Sequence, residues 1–247
     1  MTMIKKLDPG EKVPFTEHLE ELRRRIITSI VVVGSAFVLT YSVSDRLLSP
    51  LAALVDVKLV FIAPTEAFFV NLKVAFYTAL AVSAPLLFYQ TWAFVAPGLL
   101  EREKKYTVRL MAGSTLLFAV GVAFCFYMVL PLGLKFLIGY GGDMLLPMLS
   151  VGAYLGFCLK LMLVFGIVFQ LPLVVAFLYF TGITDIEGLI KFRGYLVVGS
   201  FILAAVVTPP DVFTQVVLAL PLIILYELSL ITIRIFGGKK IAEKHKA

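Results

Sequence analysis

The chain has 247 residues, of which 60% are hydrophobic and only 15% charged; its formal net charge is +6 and its mean hydropathy +0.99. A soluble domain runs nearer about 45–50% apolar and about 25% charged, so a soluble globular protein is excluded. The charges are segregated between apolar runs close to the ~20 residues of a bilayer crossing, which makes this one membrane-embedded domain spanning 1–247.

The first charged segment, EHLEELRRR (Glu17 to Arg25), precedes the first apolar run. Phe15, Leu19, Leu22 and Ile26 recur at helical spacing, predicting an amphipathic helix over 15–25 that runs into span one. Glu20 with Arg24 and Glu21 with Arg25 stand at i, i+4, where exposed pairs contribute about 0.3–0.5 kcal/mol each. The charged lead-in and the lack of a small-residue cleavage site argue against a removable signal peptide.

Six spans follow, at 26–43, 73–97, 110–130, 154–180, 195–208 and 212–233, with a basic tail over 237–247. Spans in hydrocarbon must close their own backbone hydrogen bonds, so an all-α fold is expected. Span two contains Ser83-Ala84-Pro85 and is expected to kink; span three should stop near Pro131; span four contains Pro172 and span six Pro221. Spans five and six are expected to be short. The apolar part of span five, Tyr195 to Thr208, reaches only ~21 Å at ~1.5 Å per residue, against a ~30 Å core. Local bilayer thinning there would follow. Pro209-Pro210 form the turn between the two.

Lysine and arginine set the orientation. Six lie before span one, four between spans two and three, two between four and five and five at the C-terminal end: 17 of the 22. Arg46, Lys58, Lys73, Lys135 and Lys160 are left for the other side or for span ends. The positive-inside rule then places both termini in the cytoplasm. Topology accounts for the basic charge, so nucleic acid is not an expected partner. Membrane lipid is.

Cys125 and Cys158 lie within spans three and four with no CxxC spacing and read as small buried hydrophobes. Histidines stand only at 18 and 245, and no phosphate loop is visible. No metal, cofactor or catalytic residue is expected, and the chain is not read as an enzyme. What remains are two acidic clusters on one side, Glu17 to Arg25 and LLEREKKY (Leu99 to Tyr106). They are either solvated loops or a joint seat for a cationic ligand.

Several segments carry a resemblance: HLEELRRR (His18 to Arg25), YQTWAFVAPGLLEREKKY (Tyr89 to Tyr106), FGIVFQLP (Phe165 to Pro172), TPPDVFTQ (Thr208 to Gln215) and Tyr226-Glu227. Together they resemble TatC, the polytopic core of the twin-arginine protein translocase, along nearly the whole chain. The resemblance implies a receptor for signal peptides bearing consecutive arginines on folded cargo. It would form an oligomeric complex in the cytoplasmic (inner) membrane with single-span subunits of the TatA and TatB type, driven by proton-motive force.

The family's recognition glutamates fall on Glu21 and Glu103, its apolar contact on Phe94, and a position tied to the same region on Arg23. Glu20, Glu101 and Arg102 read better as surface charges. Gln170 stands where many members carry glutamate, so this chain has an amide in place of an acid. Asp211 and Glu227 are the remaining acids at or within the last span, and Thr208 and Gln215 resemble the docking cluster for the single-span partners. Two other readings compete. One is a proton-coupled small-molecule transporter using Glu227 and Asp211, which lacks the internal repeat often seen in such folds. The other is a scaffold without a ligand, which leaves the acidic clusters unexplained.

Overall fold

The protein is described from a computed structural model covering residues 15–55, 57–95, 107–140, 148–208 and 211–244. Its helices are α1 (Phe15–Tyr41), α2 (Ser44–Ala52), α3 (Glu66–Val95), α4 (Thr107–Phe124), α5 (Leu130–Gly139), α6 (Val151–Val168), α7 (Leu171–Phe180), α8 (Ile186–Val207) and α9 (Val212–Lys244). Two two-residue strands, β1 (Leu59–Val60) and β2 (Leu149–Ser150), pair in parallel, Leu59 with Leu149 and Val60 with Ser150. Among the described residues, five stretches are long and apolar enough to cross a membrane. They are 66–95, 108–139, 151–180, 186–207 and 212–235, and α1 with α2, bent by 77°, makes a sixth.

Prolines decide where these spans bend. Pro131 lacks an N–H and crowds the carbonyl four residues back. The chain answers with a π turn over Cys125–Val129 and then continues as α5. Span three therefore does not stop at Pro131 as the sequence suggests; it runs on to Gly139. At Pro172 the helix does break: Gln170 precedes α7, whose first residues are Leu171 and Pro172. Pro85 and Pro221 are absorbed within α3 and α9.

Further boundaries differ from expectation: α3 begins at Glu66, seven residues before the expected start of span two. α8 begins at Ile186, nine residues before the expected start of span five, because Asp185 caps it by accepting from the Gly188 N–H at 2.7 Å. Lys191 and Arg193 are thus helical, not loop, residues. As helices α8 and α9 have 22 and 33 residues, and their stretches 186–207 and 212–235 are each long and apolar enough to cross a membrane. The expected basic tail continues α9 through Lys244.

The passes alternate. Arg25 of α1 reaches Gln90 and Ala93 of α3, Trp92 reaches Ser114 of α4 and stacks edge-on with Phe177 of α7, and Tyr226 of α9 bonds Leu189 of α8. The start of α1, the end of α3, the end of α7, the start of α8 and the end of α9 therefore share one face, the terminal face. The strand pair and the starts of α3, α6 and α9 lie on the opposite face.

The main core joins α3, the α4–π–α5 helix and α6 around Val74, Cys125, Leu130, Leu155, Cys158 and Phe165. Both cysteines are free and fully buried. Lipid tails are as apolar as these side chains, so close packing rather than removal from water holds the helices together. Gly166 shows the closeness: a Cβ there would meet the Phe118 ring of α4 at 2.5 Å. A second cluster, Val175, Leu189, Tyr226, Leu230 and Ile233, ties α7, α8 and α9 near the terminal face.

Candidate functional site

On the terminal face α1 and α3 meet at the residues singled out in the sequence. Glu21 and Arg25 lie one turn apart on the flank of α1 facing α3. The Arg25 guanidinium donates from Nε to Glu21 Oε1 at 2.9 Å, and its Nη2 also donates to that oxygen. Nη1 donates to Gln90 Oε1 and Nη2 to the Ala93 carbonyl, each at 3.1 Å. Arg25 is thus a clamp that ties α1 to the end of α3 and holds the carboxylate in place. Oε2 of Glu21 lies 3.9 Å from His18 Nδ1, and the His18 ring stacks on Phe94 with centroids 4.3 Å apart and planes 10° apart.

Glu21, Phe94 and His18 therefore form one patch: a carboxylate beside two stacked rings. Arg23 is exposed on α1, where it shares a shallow groove with Glu20, Arg24 and Ile27. Glu20 and Arg24 do not pair with each other; the ion pairs among the described residues lie elsewhere. Glu103, with Glu101 and Arg102, lies outside the described residues. Position in sequence hid the role of Arg25, since its partners Gln90 and Ala93 are 65 and 68 residues away.

Deeper in the domain, Gln170 sits at the α6–α7 break. Its amide Nε2 donates to the Ser114 carbonyl at 2.9 Å and to the Gly166 carbonyl at 3.4 Å, while Oε1 is buried with no partner among the described residues. Trp92 Nε1 donates to Ser114 Oγ at 2.8 Å. Trp92, Ser114 and Gln170 thus couple α3, α4 and the broken span in one polar knot.

The acids of the last span are engaged. Asp211 caps α9, accepting from the Thr214 N–H at 2.7 Å and from its hydroxyl. Glu227 accepts from Arg193 Nη2 of α8 at 2.6 Å. Thr208 donates to the Ala204 carbonyl of its own helix at 2.8 Å, and Gln215 Nε2 donates to the Phe201 carbonyl of α8 at 3.0 Å.

On the opposite face the structure adds a residue that the sequence pattern did not single out. Glu66, first in α3, accepts from the Ile62 N–H and the Gly152 N–H at 2.7 Å each and from the Ser150 hydroxyl. One carboxylate joins the 57–65 loop, α3 and the start of α6. An acid just before an apolar run at a helix start was the available signal.

A family model described as Sec-independent protein translocase protein (TatC) matches residues 17–221. The chain belongs to the TatC family. It is 43% identical over 243 residues to the TatC protein of Desulforapulum autotrophicum, covering 96% of this chain and 90% of that one. It is 42% identical over 241 residues to the Aquifex aeolicus protein (95% and 98%) and 37% over 232 to that of Escherichia coli (92% and 90%). The fold is similar to a crystal structure described as the twin arginine translocase receptor TatC in DDM. There the TM-score is 0.82 at 37% identity, over 87% of this chain and 98% of that one. As a TatC protein the chain is a multi-pass membrane component of protein translocation and not an enzyme. Membership also decides against the small-molecule transporter, whose two candidate proton carriers, Asp211 and Glu227, are a helix cap and an ion-pair partner.

Proposed function

We propose that the protein is the signal-peptide receptor and core subunit of a twin-arginine translocase in the cytoplasmic membrane, with both termini in the cytoplasm. Glu21 and Glu103 each accept one guanidinium of the tandem arginines, and Phe94, stacked on His18, offers the apolar surface beside them. Arg23, exposed on the same helix, belongs to the rim. One observation carries the reading: the Glu21 carboxylate already accepts a guanidinium, that of Arg25, at the mouth of α1 and α3. A planar fork fits a carboxylate in a way that a lysine ammonium does not.

Single-span partners of the TatA and TatB type join an oligomeric receptor complex around this subunit and make a transient path for folded cargo, driven by proton-motive force. Gln215 and Thr208 border the α8–α9 surface on which those partners dock. Gln170 and Glu227 hold polar positions that keep the broken span and the last two helices in register.

Binding of a fluorescent twin-arginine peptide to detergent-solubilised protein tests the reading, with a twin-lysine peptide as control. Glu21→Ala and Glu103→Ala should each weaken arginine-peptide binding at least about tenfold, on the scale of a lost charge-assisted hydrogen-bonded pair. Undiminished binding in the double variant would sink the proposal.

A further inference from the structure

Of the five basic residues that the orientation count left unassigned, Lys73 and Lys160 are brought together at α6. The Lys73 Nζ lies 3.7 Å from where a Cβ on Gly156 of α6 would stand. Gly156 and Lys160 are i and i+4 on α6 and so share a face of that helix. Lys160 Nζ reaches across to α8 and donates to the Val206 carbonyl at 3.0 Å. That carbonyl belongs to the last turn of α8, which has no helical N–H of its own to accept from.

Lys73 lies about 10 Å along α3 from Glu66, and Lys160 about 14 Å along α6 from Val151, at ~1.5 Å per residue. Long stems let both ammonium groups snorkel toward the face that carries the strand pair. Neither lysine has a carboxylate within ion-pair distance among the described residues. Uncompensated cations in a membrane span mark a functional site.

An apolar groove between α3, α4 and α6 begins just below them. Tyr77 and Ala81 continue the Lys73 stripe of α3 at i+4 and i+8, Leu159 and Leu163 flank Lys160 on α6, and Phe118 of α4 closes the back. Charge at the top and a narrow apolar slot beneath match the two parts of a lipid.

We propose that Lys73 and Lys160 seat the phosphate of an anionic phospholipid from the leaflet opposite the chain termini, with an acyl chain in the Tyr77–Leu163 groove. The seat lies on the other side of the domain from Glu21 and does not depend on how the signal peptide is read. An anionic headgroup is favoured over a zwitterionic one because both protein groups are cations and the seat offers no carboxylate, among the described residues, for a headgroup ammonium. An acidic helix would satisfy the lysines but would leave the slot below them without an occupant.

Native mass spectrometry of protein purified from nanodiscs of equal phosphatidylglycerol and phosphatidylcholine tests this. Wild type should retain phosphatidylglycerol over phosphatidylcholine, and Lys73→Gln should lower that preference about fivefold, the size expected for one lysine near a charged lipid surface. Lys73→Arg should keep it. Ala81→Phe, which fills the groove and leaves both charges, should lower retention of either lipid. Thermal melts of each variant exclude misfolding as the cause. Equal retention by Lys73→Gln and wild type would overturn the proposal, as would a phosphate-only adduct with no lipid. So would loss of a copurifying acidic partner with lipid retention unchanged.

Discussion

Arg193 of α8 and Glu227 of α9 meet at 2.6 Å, each about two-fifths exposed, and Arg193 Nε is buried with no partner among the described residues. The pair sits beside Tyr226, whose hydroxyl donates to the Leu189 carbonyl at 2.6 Å. The last two helices are thus pinned on the terminal-face side by one ion pair and one buried hydrogen bond. At the other end Gln215 holds Phe201.

Removing one charge of this pair leaves the other without its partner in a half-buried site, which costs more than removing both. Glu227→Ala and Arg193→Ala should each lower the melting temperature in detergent, and the double variant should fall well short of their sum. A coupling of about 1 kcal/mol is expected for a pair this exposed. Strict additivity would mean that the contact holds nothing.

Gln170 allows a sharper test of polarity in the broken span. It donates both of its hydrogen bonds, to the Ser114 and Gly166 carbonyls. Leucine donates neither, so Gln170→Leu should be destabilised by about 1 kcal/mol, the net worth of a lost hydrogen bond, the Ser114 carbonyl lying mid-helix in α4. A glutamic acid O–H can replace only one of the two bonds, so Gln170→Glu should also melt below wild type. Equal melting of wild type and Gln170→Leu would show that the donor role is not what the site requires.

Glu66 and Gly152 form one unit, because a Cβ at Gly152 would stand 2.7 Å from Glu66 Oε1. Gly152→Ala must push the carboxylate off, and Glu66→Ala removes it. Each should speed hydrogen exchange at Ile62 and Gly152, and the double variant should be no faster than Glu66→Ala. Unchanged exchange at Ile62 in Glu66→Ala would show that the 57–65 loop is held by β1 and β2 alone.

Much of this architecture was legible in the sequence because lipid permits so few solutions. Long apolar runs had to be helices, and their flanking charges marked the ends. The failures have common physical causes. A proline reads as a stop, but a π turn let the helix pass Pro131. The charged residues Lys191 and Arg193 read as loop, but an Asp185 cap and a partner on α9 made them helical. For the candidate site, the i, i+4 spacing gave Glu21–Arg25 correctly and suggested Glu20–Arg24, which does not form. Only α3 distinguishes the two: it lies against Arg25 and not Arg24. For Glu66 the sequence offered only its place at a helix start; two of its three donors, Ser150 and Gly152, are brought to it by tertiary structure.

Arg25 decides how Glu21 presents itself, and two outcomes are separable. Its guanidinium occupies Oε1 of Glu21 while binding Gln90 and Ala93, and Oε2 faces His18. If the clamp positions the carboxylate, an incoming arginine uses Oε2, and Arg25→Gln should weaken peptide binding by letting Glu21 swing away from Phe94. The loss should be about five- to tenfold, on the scale of one charge-assisted hydrogen bond. Because Arg25 then acts only through Glu21, Arg25→Gln in a Glu21→Ala background should cost nothing further. If Arg25 instead competes with the peptide for the carboxylate, Arg25→Gln would tighten binding. Titration of the fluorescent twin-arginine peptide against wild type, both single variants and the double variant separates these cases. A tighter Arg25→Gln complex, or a further loss in the double variant, would overturn the positioning role.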